Sequence, residues 1–272
     1  MAQALALVLL AAPAFAGNEK DYTYLALGES ISFGYDPTVA APAPEKFTGY
    51  PEVVADILHL QQSKKEVNAS CPGETSGSFL TFDAPDNGCQ AFKNAFGLHT
   101  NYAGSQFNFA VSQLQTNKHI DLVTLSIGGN DLLLLEQQCS TAPSFADCVN
   151  AHLPAVLESF AQNLGQILTA LRYQGNYNGT LILMKLYSPT ADPLFVQVVG
   201  ALDQVMVDVG TSFGARFADG FGAFRLASAL FQYDPCQAGL LIRLSPTTCY
   251  VHPSPAGRDL LAATVLVVLP GK

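Results

Sequence analysis

Apolar residues recur along this chain in two spacings. The runs Tyr22–Leu27, Asp121–Ile127 and Thr180–Tyr187 are short and rich in apolar and β-branched residues. The first two stop at glycine, and all three predict buried strands. Glu66–Ser70 and Ala215–Ala218 are shorter candidates. Elsewhere the apolar positions fall three and four apart. This predicts helices over 50–60 (Val53, Val54, Ile57, Leu58), around 108–114, over 153–173 up to Gly175, over 194–213 and over 255–268. Residues 36–48, rich in Pro and Ala, and residues 71–88, rich in Gly, Pro, Ser and Asp, show no period and read as loop stretches. Strands alternating with helices predict a parallel sheet covered on both faces, an α/β/α sandwich. In such sheets ligands bind beyond the carboxyl ends of the strands. Chemistry is therefore expected after Leu27, after Ser70, after Ile127 and near the last helix.

Composition supports this picture. Of 272 residues 49% are hydrophobic and 13% charged, enough for a sizeable core and against disorder. The formal net charge of −9 argues against a nucleic-acid partner, which needs a basic face. Residues 4–12 form an apolar run, broken by Pro13 and followed by Ala14-Phe15-Ala16. This reads as a secretory signal over 1–16, although no Lys or Arg precedes the run, and implies a secreted chain. No later uncharged run reaches the ~18 residues of a membrane span, so no transmembrane anchor is expected. No repeat, charge block or linker divides the rest, and 17–272 reads as a single catalytic domain.

The six cysteines, Cys71, Cys89, Cys139, Cys148, Cys236 and Cys249, contain no C-x-x-C pair, which disfavours a metal site. In an oxidising compartment an even set suggests disulfides. Sequential pairing is the expectation, because each neighbouring pair brackets one Gly-, Pro- or Asp-rich stretch.

Unusual residues stand at the four expected places. Gly28-Glu29-Ser30 follows the first strand, where a strand-to-helix turn exposes a serine hydroxyl that needs a base to become a nucleophile. Cys71-Pro72-Gly73-Glu74 follows the second, and Gly73 permits close backbone approach to a ligand. Gly128-Gly129-Asn130-Asp131 follows the third and presents an amide. His252 lies in Val251-His252-Pro253-Ser254-Pro255, read as a loop before the last helix. Each signal alone is an ordinary turn, cap or surface histidine; their order is far more specific.

In that order, Ser30, Gly73, Asn130 and His252, the chain resembles the SGNH/GDSL hydrolases over about residues 22–265, in particular the secreted bacterial lipase/esterase branch. The resemblance implies a flavodoxin-like sheet and hydrolysis of carboxylic, acyl or lipid esters without a metal or organic cofactor. It implies Ser30 as nucleophile and His252 as general base. It implies an oxyanion hole from the N–H groups of Ser30 and Gly73 and the side-chain amide of Asn130. The expected partner is a small-molecule or lipid ester, and the expected state a monomer. Carbohydrate deacetylation, phospholipid hydrolysis and non-catalytic ligand binding are the competing functions.

Two positions depart from the family pattern. Glu29 stands where an Asp is usual, and Cys249 stands where an Asp usually orients the histidine. A main-chain carbonyl within Pro246–Tyr250, fixed by a Cys236–Cys249 bridge, is therefore expected to accept from His252 Nδ1. Asp131 is read as a helix N-cap. Leu132–Leu135 is read as core in preference to an acyl pocket. His59, His99, His119 and His152 are read as structural or surface residues.

Overall fold

A computed structural model describes residues 23–60 and 66–270. The signal segment expected over 1–16 lies outside these residues. The strands are β1 (Thr23–Gly28), β2 (Glu66–Asn68), β3 (Ile120–Ser126), β4 (Thr180–Met184) and β5 (Arg216–Ala218), all parallel, in the order β2-β1-β3-β4-β5. This is the flavodoxin-like order, reversing direction at β1 and β3.

Helices cover both faces. They are α1 (Ser30–Phe33), α2 (Tyr50–Ile57), α3 (Ser76–Leu80), α4 (Cys89–Phe96), α5 (Gln106–Thr116), α6 (Gly129–Cys139), α7 (Phe145–Thr169), α8 (Pro193–Thr211), α9 (Gly220–Ala227) and α10 (Pro255–Val267). A two-stranded antiparallel sheet, β6 (Leu241–Ser245) with β7 (Thr248–Pro253), precedes α10.

The strand alternation sorts the core. Leu25 and Leu27 join Val123, Leu125 and Phe160 on the side of α5, α7 and α8. Tyr24 and Ala26 join Leu122, Ile182, Leu261 and Val265 on the side of α2 and α10. Successive side chains point to opposite faces, so a strand buried on both faces reads as one apolar run rather than as an alternation.

The expected sandwich is present, with local corrections. The 71–88 stretch is not all loop: α3 forms inside it, where Thr75 and Ser78 make a capping box. The 153–173 helix begins earlier, at Phe145. Ser144 caps it by accepting from the Asp147 N–H, and exposed Pro154 is carried inside it. The α4, α9, β6 and β7 elements were not anticipated, and of α6 only its start was read, from Asp131. Helix α8 is long and apolar enough, by length and mean hydropathy, to cross a membrane. Here Val198, Val199, Leu202 and Met206 bury its apolar stripe in the protein, as the core helix of an α/β sandwich does. The three disulfides are Cys71–Cys89, Cys139–Cys148 and Cys236–Cys249, the sequential pairing expected.

Candidate active site

The carboxyl ends of β1 and β3 place Ser30 and Asn130 at one cavity, and β7 brings His252 to it. Ser30 is the first residue of α1, so its N–H has no intrahelical partner. Its turn is tightly held. Gln106, buried on α5, accepts from the Gly28 N–H at 2.6 Å and donates to the Gly28 carbonyl at 2.9 Å. The Glu29 N–H donates to the Ser126 carbonyl at 3.1 Å.

Gly73 sits in the loop after β2, which is anchored where the Cys71 N–H donates to the Gly28 carbonyl at 3.0 Å. Its φ is +90°, and a Cβ there would stand 2.5 Å from the Asn87 carbonyl oxygen. Only glycine fits this loop crossing. The Gly73 N–H has no hydrogen-bond partner among the described residues. Gly73 itself does not line the main cavity.

Asn130 is 3% exposed, in the first turn of α6. Its Nδ2 donates to Glu29 Oε2 at 2.7 Å and to the Glu74 carbonyl at 2.9 Å. Its Oδ1 accepts from Asn87 Nδ2 at 2.9 Å, and its N–H donates to Glu29 Oε2 at 3.2 Å. Both amide protons expected for an oxyanion are thus engaged by Glu29 and the Glu74 carbonyl. Glu29, not an Asp, fits because Gly129 leaves room: a Cβ on Gly129 would lie 2.7 Å from Glu29 Oε1. Burial pushes the Glu29 carboxyl up to about 8, against the pull of its bonds from Asn130. Glu74 is pushed up to about 7 by burial as well, although Ser78 Oγ and Gln106 Nε2 donate to it.

His252 lies on β7, not in a loop, and is 6% exposed. Its ring stacks on Tyr250 at 4.9 Å between centroids and meets the edge of Tyr35 at 5.3 Å. Tyr187 Oη donates to the neighbouring Val251 carbonyl at 2.7 Å, which fixes the strand beside it. The expected main-chain acceptor is absent: buried Nδ1 has no hydrogen-bond partner among the described residues. The hairpin explains this. Carbonyls of β7 lie in the plane of the ladder to β6, whereas the side chain projects from its face. Burial lowers the imidazole to about 4, and the field of Asp36 opposes that shift.

Ser30, Asn130 and His252 all border one cavity of about 300 Å³. No hydrogen bond joins Ser30 to His252 among the described residues; such bonds commonly tighten only when substrate binds. Leu132, Leu133 and Leu135 line the cavity, and Leu135 also belongs to a buried cluster, so this run is core and pocket wall at once. Asp131 does not cap its own helix. Its carboxylate accepts from the N–H and Oγ of Ser76 and so secures the start of α3. His99 is structural: its Nε2 lies 3.0 Å from the Phe33 carbonyl, and its ring packs on Phe33. Ligand atoms of Cys71, Glu74 and Cys89 cluster, but the two sulfurs are bonded to each other and are not thiolates.

Sequence reasoning missed Gln106, Tyr187, Tyr35 and Tyr250. They sit at ordinary helix, strand and loop positions, and no local spacing marks them.

No curated protein sequence matches the chain. Solved structures do, each over 90% of this chain. Phospholipase A1 from Streptomyces albidoflavus is 18% identical, with 97% of its chain covered and a TM-score of 0.58. The lipase Lip_vut3 from a goat rumen metagenome is 14% identical, with 96% covered and a TM-score of 0.59. The acetylxylan esterase Axe2 from Geobacillus stearothermophilus is 18% identical, with 92% covered and a TM-score of 0.56. At such identity these likenesses speak to the fold. The family itself is established by a sequence model that matches residues 26–260, nearly the whole described chain: this protein belongs to the GDSL-like lipase/acylhydrolase family.

Proposed function

We propose that this GDSL hydrolase is a secreted carboxylic-ester hydrolase that works through an acyl-enzyme on Ser30. The observation that carries the reading is one cavity bordered by Ser30, Asn130 and His252, with the Ser30 N–H at the start of α1 left without an intrahelical partner. Secretion is supported by the three disulfides and by the apolar leader expected over 1–16.

In the proposed reaction Ser30 Oγ attacks the ester carbonyl carbon while His252 takes its proton. Negative charge moves to the former carbonyl oxygen, where fixed N–H donors stabilise it without reorganising. The C–O bond to the alcohol then breaks, and the alcohol leaves with the proton from His252. Water repeats the two steps on the acyl-serine and releases the carboxylic acid. The low proton affinity of His252 keeps it neutral, and therefore a base, over the whole neutral range. Asn130 acts as a third donor by exchanging its bond to the Glu74 carbonyl for one to the oxyanion, while its bond to Glu29 holds it in place. The mainly apolar cavity favours acyl chains over acetylated sugars, the substrate named for Axe2.

A fluorophosphonate reporter tests the nucleophile. Wild type should be labelled at Ser30, and Ser30→Ala should lose both labelling and ester turnover. Equal labelling of the two would overturn the reading.

A further inference from the structure

The cavity beside Ser30 has a direction. Helix α6 starts next to the serine and forms one of its walls. Lining residues run along it from Asn130 to Glu136. At about 1.5 Å per residue this wall is about 9–10 Å long. The far end of α6 is tied down: Cys139, its last residue, is bonded to Cys148 in the first turns of α7. Phe145, which opens α7, stacks on Phe195 of α8 with ring centres 6.1 Å apart. Both rings face the cavity. Beside them Leu135, Val149 and Val198 also line the cavity, and they are packed into one buried cluster with Cys139. The serine end is polar; the disulfide end is lined mostly by apolar side chains, with Glu136 as the one carboxylate on that stretch of wall among the described residues.

We propose that this space is an acyl-chain pocket, and that the Phe145–Phe195 pair at the disulfide-tied α6–α7 corner sets its length at about eight carbons. This rests on the reading of Ser30 as nucleophile, because the acyl carbon must start at that serine. The length follows from the wall. An extended alkyl chain advances about 1.3 Å per carbon, given C–C bonds of about 1.5 Å at tetrahedral angles, so 9–10 Å takes seven or eight carbons. Leu132 and Leu133 flank the first carbons, and the two phenylalanines meet the terminal methyl. Each methylene moved from water to such a wall improves binding about fourfold. The bridge gives the corner its function. Without a covalent tie, the start of α7 would be free to move away from the end of α6 as longer chains pushed in.

The test is kcat/KM across p-nitrophenyl esters from acetyl to palmitoyl, with fluorophosphonate labelling on the same preparations. Wild type should gain about fourfold per methylene up to about octanoyl and then level or fall. The double variant Phe145→Ala, Phe195→Ala should move the optimum to dodecanoyl or beyond. Val149→Phe, which fills the same end, should move it towards butyryl. Phe195→Leu, a smaller change, gives the lengthening in milder form if the double variant does not fold. An optimum unmoved by both opening and filling, or a wild type fastest on acetyl, would overturn the pocket. If Ser30 is still labelled in that case, ester hydrolysis stands and only the pocket falls. If Ser30 is not labelled and no ester is cleaved, the underlying reading falls with it.

Discussion

The two sides of the site are held by different physics. On the side of Glu29, Asn130 and Gln106, polar atoms are tied into one hydrogen-bonded network that runs from β1 through α5 to α6. On the side of His252, the ring is wedged between Tyr250 and Tyr35 with Nδ1 unpaired, and the strand that bears it is fixed by Tyr187 and a disulfide. Directional bonds define the donor side. Packing defines the base side. A donor aimed at a developing charge needs fixed direction. A base has to be unprotonated before it can take a proton, although a proton affinity held this low also weakens its pull on the serine proton.

The contrast breaks most sharply at Asn130. Asn130→Ala removes the amide from Glu29, Glu74 and Asn87 together. Loss of one oxyanion donor typically lowers kcat about 10²–10³-fold. The buried Glu29 carboxyl also loses its side-chain partner, a cost of about 1–3 kcal/mol. Steady-state kinetics and thermal melting on one preparation read both. A variant with unchanged kcat and a lowered melting temperature would show that Asn130 only supports the turn and that the exchange away from Glu74 does not occur.

The base side should answer differently. Tyr250→Ala opens His252 to water and relieves the burial that holds its imidazole at about 4. The acid limb of kcat/KM should then rise towards the ordinary histidine value of about 6.5. At pH 5 the loss would be between about three- and thirty-fold, with little change at pH 8. A uniform loss at every pH would mean that Tyr250 positions the ring and does not set its protonation.

How much of this was legible beforehand follows the same divide. The strands β1, β3 and β4 announce themselves because both faces are buried and their residues are apolar throughout. Ser30, Gly73 and Asn130 sit at strand exits, where turn residues stand out against apolar runs. The disulfide pairing was legible from the loops the cysteines bracket. The β6–β7 hairpin was not: Arg243, Ser245, Thr247 and Thr248 break its apolar pattern, and the strand that carries His252 reads as loop. Nor was the support of the site. Gln106 reaches Gly28 across 78 positions, and Tyr187 reaches Val251 across 64. Contacts that only the fold creates leave no local spacing. The room that Gly129 makes for Glu29 is of the same kind, so the replacement of Asp by Glu could be seen but not explained.

The two sides should also fail at opposite ends of the pH scale. Burial raises Glu29 from 4.5 to about 8. Its contribution to stability is full below 4.5 and lost as pH rises through about 8, because the unfolded chain gives up the proton first. Burial lowers His252 from 6.5 to about 4. Its contribution is present above 6.5 and lost as pH falls through about 4, since the unfolded chain then binds the extra proton. Glu29→Gln should therefore flatten the alkaline fall in melting temperature, and His252→Asn the acid fall, each by a few degrees. Glu29→Gln keeps the shape and the acceptor oxygen, so a large loss at every pH would mean that the ionised carboxylate is needed.

The smallest effect expected is the one that separates this site from a full triad. Asp36 is the carboxylate whose field reaches His252, yet its Oδ1 accepts from the N–H and Oγ of Thr38 and no hydrogen bond joins it to the imidazole among the described residues. It is partly exposed, so its field is weakened by water and salt. Asp36→Asn should lower kcat about two- to threefold and move the acid limb slightly lower, because the imidazolium loses a favourable field. In the wild type, salt should produce the same displacement, since the screening length falls from about 10 Å at 0.1 M to about 3 Å at 1 M. The Asn130→Ala loss should be insensitive to salt, because it concerns buried bonds. A loss near 10⁴-fold in Asp36→Asn would show that this carboxylate swings onto Nδ1 during turnover and serves as the missing acid. No change with either substitution or salt would show that burial between the two tyrosines prepares the base without help from charge.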